Sequence, residues 1–220
     1  MDFFTWDPWA NRSWSQEGED IMLRRIFGSQ RTGLYVDVGA HHPKRFSNTY
    51  FFYRLGWHGI NIDAMPGSMR LFNKCRPRDI NLELGIAQNA GTLNYFIFNE
   101  TALNGFSATL SNQRNSENNK YYVKDVVKLN VQPLSEVLEK YADGAAIDFM
   151  TVDVEGLDLQ VLRSNDWSRF RPEYVLAEVL RSSLDELQYD PVTKFMRGIG
   201  YSVYAKVVNT VIFKNVKSTV

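Results

Sequence analysis

The chain has 220 residues, a length that suits one domain, and its 44% hydrophobic and 23% charged residues are typical of a soluble globular protein. Its 25 basic and 25 acidic residues balance, which argues against a nucleic-acid partner, because such partners require a basic surface that neutralises phosphates. Cys75, the only cysteine, cannot form an intramolecular disulfide, and no apolar run approaches the ~20 residues that cross a bilayer.

The first 30 residues combine an aromatic segment with a predicted helix. Acidic residues interrupt the aromatic part, so it does not fit a signal peptide, and we expect a cytoplasmic protein. The aromatic side chains are expected to dock on the domain, although lining a substrate entrance or an oligomer interface are alternatives. Ser15 followed by acidic residues predicts a helix start, and Gly28 predicts its end.

Strands and helices then alternate, with one long interruption. The predicted strands cover 33–39, 57–63, 80–87, 92–98, 121–131, 146–156, 173–180 and two strands within 201–215. The predicted helices cover 48–55, 66–75, 134–141, 157–162 and 190–198. This alternation predicts a single α/β domain over 1–220, with an open, mostly parallel sheet, helices on both faces and an antiparallel C-terminal edge.

The interruption at 99–120 is rich in Asn and Ser and has little periodicity. We expect a long mobile loop there, and such loops often bind substrates. Phe106, Ser107 and Arg114 are its candidate substrate contacts, together with Glu178 from a predicted strand end. The alternative is a disordered insertion without function.

Ligands of such sheets bind outside the carboxyl ends of the strands. Five groups of residues fall at these predicted ends and are expected to face one crevice: 37–42, 63–65, 85–87, 153–156 and Glu178. Gly39 permits close backbone approach, and Asp63 ends the next strand, where a carboxylate can accept both ribose hydroxyls. Alternatively, Asp63 caps the turn that follows it.

The sequence after Gly39 bears on the choice of cofactor. A nicotinamide cofactor is disfavoured, because its diphosphate requires a Gly-rich turn, whereas "DVGAHHPKRFSN" (37–48) offers one glycine. The phosphate-binding GxxxxGK[ST] pattern is absent as well. S-adenosylmethionine, a nucleoside without a diphosphate, fits better.

Four segments resemble the successive motifs of the FkbM family of S-adenosylmethionine-dependent methyltransferases. They are "YVDVGAHHP" (35–43), "GINIDAMP" (59–66), "LGIAQNAGTL" (84–93) and "DFMTVDVEGLDLQVL" (148–162). "SQEGEDIML" (15–23) is similar to a segment found upstream in one bacterial branch, so the likeness covers residues 15 to 213. The resemblance implies a Rossmann-like class I methyltransferase fold with a seven-stranded sheet. It also implies O-methylation of a glycan hydroxyl, as in bacterial surface polysaccharides, or of a secondary metabolite.

The resemblance also implies a set of cofactor-binding residues. These are Asp37, Gly39, Ala40 and His41 in the first loop, with Asn48 after it, Asp63 at the ribose, Ala64, Met65, Gly85 and Ile86 at the adenine, and Asp153 at the methionine amino group. One departure is notable, since relatives often place Asn and Gly after "GA", where this chain has His41 and His42.

Proton removal from an acceptor hydroxyl requires a base or a metal ion. His42, Asp153, Glu155 and Glu178 are the candidates for this role, and the alternative for His42 is to hydrogen-bond the loop or to bind a substrate. If a divalent cation such as Mg²⁺ or Ca²⁺ binds, Asp153 and Glu178 are its candidate ligands. These acids are equally suited to bind the cofactor amine or to cap a helix.

Three alternatives to O-methyl transfer remain open at this point. One is a methyltransferase-like module that has lost catalysis and only binds a partner. Another is an NAD- or nucleotide-sugar-binding enzyme, which the missing glycines disfavour. The third is N-methyl transfer by the same fold. The sequence indicates a small-molecule or glycan substrate and leaves the oligomeric state open.

Overall fold

The computed structural model describes residues 8–115, 120–180 and 183–216. The strands are β1 (Leu34–Val38), β2 (His58–Asp63), β3 (Ile80–Glu83), β4 (Gly85–Ile86), β5 (Gly91–Phe98), β6 (Val123–Gln132), β7 (Phe149–Val152), β8 (Tyr174–Glu178), β9 (Tyr201–Lys206) and β10 (Thr210–Asn215). The α-helices are α1 (Glu19–Phe27), α2 (Tyr50–Leu55), α3 (Met69–Cys75), α4 (Ala108–Arg114), α5 (Leu134–Tyr141), α6 (Asp158–Arg163) and α7 (Pro191–Gly198).

The larger sheet has seven strands in the order β3-β2-β1-β7-β8-β10-β9. The first five of these strands pair in parallel, while β10 pairs antiparallel with both β8 and β9. The prediction of a mostly parallel seven-stranded sheet with an antiparallel C-terminal hairpin is therefore confirmed. β1 is buried along its whole length because strands flank it on both sides and helices cover both faces.

The two faces of this sheet carry different cores, because successive side chains of a strand point to opposite faces. One face is mostly aliphatic and packs Val36 and Val38 against α5, α6 and α7. The other face is aromatic, with Tyr35 among the rings and α1 and α2 against it. Trp57 is fully buried there, so it belongs to the core. Helices thus cover both faces, as predicted.

A second sheet, absent from the sequence-based prediction, has the order β4-β6-β5. The predicted strand over 80–87 divides between the two sheets. β3 ends at Glu83, the Leu84 N–H donates to the Asp63 carbonyl at 2.9 Å, and β4 then pairs with β6. The division lies beside the carboxyl end of β2, so the small sheet forms a wall there.

The described part of the predicted loop over 99–120 is ordered into a 3₁₀ turn (Thr101–Leu103) and α4. Ser107 caps α4 by accepting from the Leu110 N–H. Asn104 accepts from the Phe98 N–H at 2.8 Å, which ties the segment to β5. The structure therefore differs from the predicted long loop, because contacts with β5 supply the order that local periodicity lacks. Residues 116–119, and residues 1–7 of the aromatic segment, lie outside the described residues.

Within the described ranges, no helix combines the length and apolar character needed to cross a membrane.

Candidate active site

A pocket of about 640 Å³ lies at the carboxyl ends of the parallel strands, a volume usual for small-molecule sites. Asp63, at the end of β2, lines one side, and Asn209, just before β10, lines the other. Four inter-strand steps separate β2 from β10, which at ~4.8 Å each is roughly 19 Å. We call these two sides the β2 end and the β10 end of the pocket.

Gly39 brings two strands together at the pocket floor. Its φ of +85° is left-handed, and a Cβ on it would lie 1.7 Å from the Asp153 carbonyl oxygen. No side chain fits at this position, so the backbone after β1 approaches the backbone after β7 as closely as glycine allows. Gly39 and Asp153 both line the pocket, as predicted from their strand-end positions.

Asp63 is buried at the β2 end and organises the two loops beside it. Its carboxylate oxygens accept from the backbone N–H groups of His41 and Met65, each at 2.8 Å. The contact with Met65 is the turn-capping contact that the sequence left as an alternative. Each carboxylate oxygen has a second lone pair, so Asp63 retains acceptor capacity for ligand hydroxyls. Burial raises the pKa of Asp63 above its usual value.

The two histidines after Gly39 lie in different positions. His41 lines the pocket with a left-handed φ of 52°, and burial lowers its pKa to about 4, so its ring is neutral at pH 7. His42 does not line the pocket. Its Nδ1 accepts from the backbone N–H groups of Lys44 and Arg45 at 3.0 and 2.9 Å, and burial lowers its pKa. The position of His42 supports the loop-bonding interpretation rather than the general-base one.

Four predicted cofactor residues lie behind the pocket wall rather than in its lining. Asp37 accepts from the Thr49 hydroxyl at 2.7 Å, and burial raises its pKa to about 6. Asn48 donates to the Thr151 hydroxyl at 3.1 Å. These contacts hold the loop after β1 in place from behind the pocket wall.

The other two of these residues, Ala40 and Gly85, pack against apolar side chains. Ala40 packs with Phe72 of α3. Gly85 faces Phe106, whose ring would lie 2.6 Å from an added Cβ. By contrast, Ala64 and Ile86 line the pocket, together with Met65 from the turn that Asp63 caps.

Arg76, which the sequence-based prediction missed, supports the loop after β1. Its guanidinium is fully buried and donates to the Pro43 carbonyl, the hydroxyls of Ser47 and Thr49, and the Asn61 amide oxygen. A buried guanidinium is costly unless its N–H groups find hydrogen-bond acceptors, as they do here. These partners are up to 33 residues away in sequence, so no local pattern could reveal them.

Acidic side chains gather towards the β10 end. Glu155 and Glu178 line the pocket, and Glu155 forms an ion pair with Arg114 of α4. Burial and the nearby Glu155 charge raise the pKa of Glu178 to about 8. Asp153 is open to the water of the pocket but enclosed by protein on its other sides. This desolvation and the Glu178 charge raise the Asp153 pKa well above its usual value.

Asp158, at the first position of α6, joins this group. Its oxygens accept from the backbone N–H groups of Val154 and Gly156, and burial raises its pKa to about 7. Carboxylate oxygens of Asp153, Asp158 and Glu178 lie within 4.8 Å of one another, near enough to ligate one divalent cation. The predicted metal pair is therefore close in space, and Asp158 is an addition that the sequence-based prediction missed.

The predicted substrate residues of the 99–115 segment separate into two groups. Phe106 and Arg114 line the pocket. Ser107 does not line it, and its hydroxyl serves as the N-cap of α4.

Gln16 and Asn209 also line the pocket, and neither was predicted to do so. Gln16 lies in "SQEGED" (15–20), which the sequence-based prediction interpreted only as a helix start and a family motif. Asn209 lies in the turn between β9 and β10. The family-like motif was the available signal for Gln16, whereas local sequence gives none for Asn209.

This sheet order, with an antiparallel last pair and a pocket at the strand ends, defines a Rossmann-like methyltransferase fold. Residues 37–203 match the family profile described as the methyltransferase FkbM domain. The match covers well over half of the chain, so the protein belongs to the FkbM methyltransferase family. A search of curated proteins found no match.

Proposed function

We propose that this chain transfers a methyl group from S-adenosylmethionine to a hydroxyl oxygen of a glycan, of the bacterial surface-polysaccharide type, or of a secondary metabolite. The position of Asp63 carries the proposal, since a carboxylate with free lone pairs ends β2 beside the close approach at Gly39. When bound, the cofactor would supply an electrophilic methyl group on a sulfonium. The protein then has to align an acceptor oxygen with it and accept the proton.

The β2 end suits a nucleoside without a diphosphate. Asp63 would accept the ribose hydroxyls, while Met65 and Ile86 offer apolar contact for the adenine. Asp153, on the other side of Gly39, would face the methionine amino group. A glycine-rich turn for a diphosphate is missing after β1, where His41 and the ring of Pro43 line the pocket instead.

Glu178 is our candidate for the group that removes the acceptor proton. It ends β8 and lines the pocket towards the β10 end. Its pKa of about 8 lies near neutral pH, where a general base is most effective. Glu155 is less suited, because the Arg114 guanidinium holds its carboxylate.

Calorimetric titration with S-adenosylhomocysteine and NAD tests the cofactor assignment. We expect the wild type to bind S-adenosylhomocysteine and not NAD. Asp63→Asn should weaken that binding at least tenfold, since hydrogen bonds to a charged acceptor contribute roughly 1.5–3 kcal/mol each. Asp125→Asn, an exposed acid on β6, is the control and should bind normally. Binding of NAD alone, or unchanged affinity in Asp63→Asn, would contradict the proposal.

Radiolabelled methyl transfer to a panel of glycosides and amino sugars tests the reaction. Products at oxygen are expected, and products at nitrogen alone would indicate N-methyl transfer. Parallel reactions with EDTA and with added Mg²⁺ decide whether Asp153 and Glu178 also bind a cation.

A further inference from the structure

Two segments outside the family-matched region reach into the pocket. The match begins at residue 37 and ends at residue 203, yet Gln16 precedes it, Asn209 follows it, and both line the same cavity. The β10 end is therefore completed by residues that the common part of the family does not supply.

The two segments are joined by Glu17. One of its carboxylate oxygens accepts from the Asn209 backbone N–H at 2.7 Å, and the other accepts from the Asn209 side-chain amide at 2.9 Å. The two contacts fix both the backbone and the side chain of Asn209. They also leave the Asn209 amide oxygen to accept further hydrogen bonds.

The segment that carries Gln16 is itself held in place. Asp20 is fully buried and accepts from the Trp14 N–H and from the hydroxyls of Ser13 and Ser15. The Trp14 carbonyl accepts from the Ser47 N–H at 2.9 Å, in the loop after β1. These hydrogen bonds fix the backbone next to Gln16, so the position of Gln16 does not depend on contacts of its own side chain.

Gln16 and Asn209 lie on the side of the pocket that is away from Asp63. The Asn209 carbonyl accepts from the Val179 N–H at 2.7 Å, and the next residue, Thr210, pairs with Glu178 across the strands. Asn209 is therefore a neighbour of the carboxylate to which we assigned proton removal.

We propose that Gln16 is a specificity-determining residue that hydrogen-bonds an uncharged sugar acceptor, and that Glu17 positions this wall by holding Asn209. The inference rests on the function proposed above. The Gln16 side chain is exposed to the pocket, and its amide has no hydrogen-bond partner among the described residues. Its two donors and one acceptor match the hydroxyls of a sugar ring.

The charge of this end restricts the acceptor. An anionic sugar would lie beside the Glu178 carboxyl group and would have to compete with Glu155 for the Arg114 guanidinium. A cationic amino sugar would compete for the same carboxylates with the positive charges of the bound cofactor. An uncharged ring avoids both conflicts.

Saturation-transfer NMR on protein saturated with S-adenosylhomocysteine tests the inference. The probes are the methyl α-glycosides of glucose, mannose and rhamnose, with methyl glucuronide and methyl glucosaminide as charged counterparts. We expect binding of at least one neutral glycoside, weakened about two- to tenfold by Gln16→Ala, as expected for one lost hydrogen bond. Glu17→Ala should weaken it similarly, and Glu17→Gln should weaken it less. Calorimetric affinity for S-adenosylhomocysteine should stay within about twofold in every variant.

Gln188→Ala, at an exposed position in the 3₁₀ turn Leu187–Tyr189 before α7, is the matched control and should bind the glycoside normally. The inference is overturned if no neutral glycoside binds, if a charged counterpart binds more tightly, or if Gln16→Ala leaves sugar affinity unchanged. A parallel loss of S-adenosylhomocysteine affinity in Gln16→Ala would also overturn it, by placing Gln16 at the cofactor. Failure of the wild type to bind S-adenosylhomocysteine would instead refute the proposed function, before any variant is compared.

Discussion

The two ends of the pocket are built from different parts of the polypeptide. At the β2 end the backbone determines the geometry of the site, since Gly39 allows a close approach of two loops and two backbone N–H groups hold Asp63. At the β10 end the lining is made of side chains from separate segments, including Gln16, Arg114 and Asn209. The first end depends on the path of the chain, and the second depends on which side chains occupy it.

This difference determines which end of the pocket can change in sequence without disturbing the fold. A change in backbone path after β1 would disturb the central sheet, whereas a change at Gln16 would leave the sheet intact. The β2 end is therefore suited to a ligand shared by a family, and the β10 end to a ligand that differs between its members.

The largest effect is expected from Gly39→Ala, which tests whether the backbone path defines the β2 end. The added Cβ would lie 1.7 Å from the Asp153 carbonyl, so we expect a loss of at least ~3 kcal/mol in the free energy of unfolding, measured by urea denaturation. Gly144→Ala is the control, because Gly144 has a φ of +73° but no atom within 4 Å of the added Cβ. It should cost only ~1–2 kcal/mol. Equal losses in the two variants would refute the role of the close approach.

A smaller effect is expected at the ion pair of Arg114 and Glu155, whose side chains are 20% and 13% exposed. Removing one partner leaves the other charge poorly solvated, so Arg114→Met should cost ~2 kcal/mol of unfolding free energy. The double variant Arg114→Met/Glu155→Gln should recover most of that loss, because it removes both charges of this pair. If the loss in Arg114→Met and the loss measured for Glu155→Gln alone simply add in the double variant, the pair contributes no coupling.

The acids of the β10 end should make stability depend on pH in the ligand-free protein. The pKa values of Asp158 and Glu178 are raised to about 7 and 8, well above the ~4 of an unfolded carboxyl group, so between these values the folded state binds more protons than the unfolded state. The contribution of these two groups to stability should therefore fall as pH rises from ~4 through 8. Glu178→Gln should flatten this dependence in urea denaturation at three pH values, while Glu136→Gln, on the exposed side of α5, should not.

The smallest effect is expected at the pair formed by Arg45 and Glu100, which joins two walls at the rim of the pocket. Their side chains are 45% and 33% exposed, so Arg45→Ala should change stability by less than ~1 kcal/mol. It should nevertheless speed release of S-adenosylhomocysteine a few-fold in stopped-flow experiments. Arg169→Ala removes a similarly exposed paired arginine away from the pocket and should leave release unchanged.

The sequence predicted the parts of the fold that depend on local pattern. Continuous apolar runs predicted β1, β2 and β8, and their ends placed Gly39, Asp63 and Glu178 at one pocket. The antiparallel hairpin was predictable because β9 and β10 are joined by a short turn.

The remaining features depend on contacts between distant residues. Leu84 leaves the large sheet to start the small one, and α4 forms where the sequence shows no helical periodicity. His41, rather than His42, lines the pocket, where the Asp63 carboxylate, 22 residues away in sequence, accepts from the His41 N–H. The side chain of Asn209 is held at the pocket by Glu17, 192 residues away.

The segment between β5 and β6 touches both ends of the pocket at once. Asn104 donates to the Met65 sulfur at 3.4 Å on one side, and Arg114 pairs with Glu155 on the other. A ligand bound against Met65 would therefore fix this segment, and with it Arg114, before a second ligand binds. The expected kinetic outcome is a compulsory order with the nucleoside first, and product-inhibition patterns that fit random entry would contradict it.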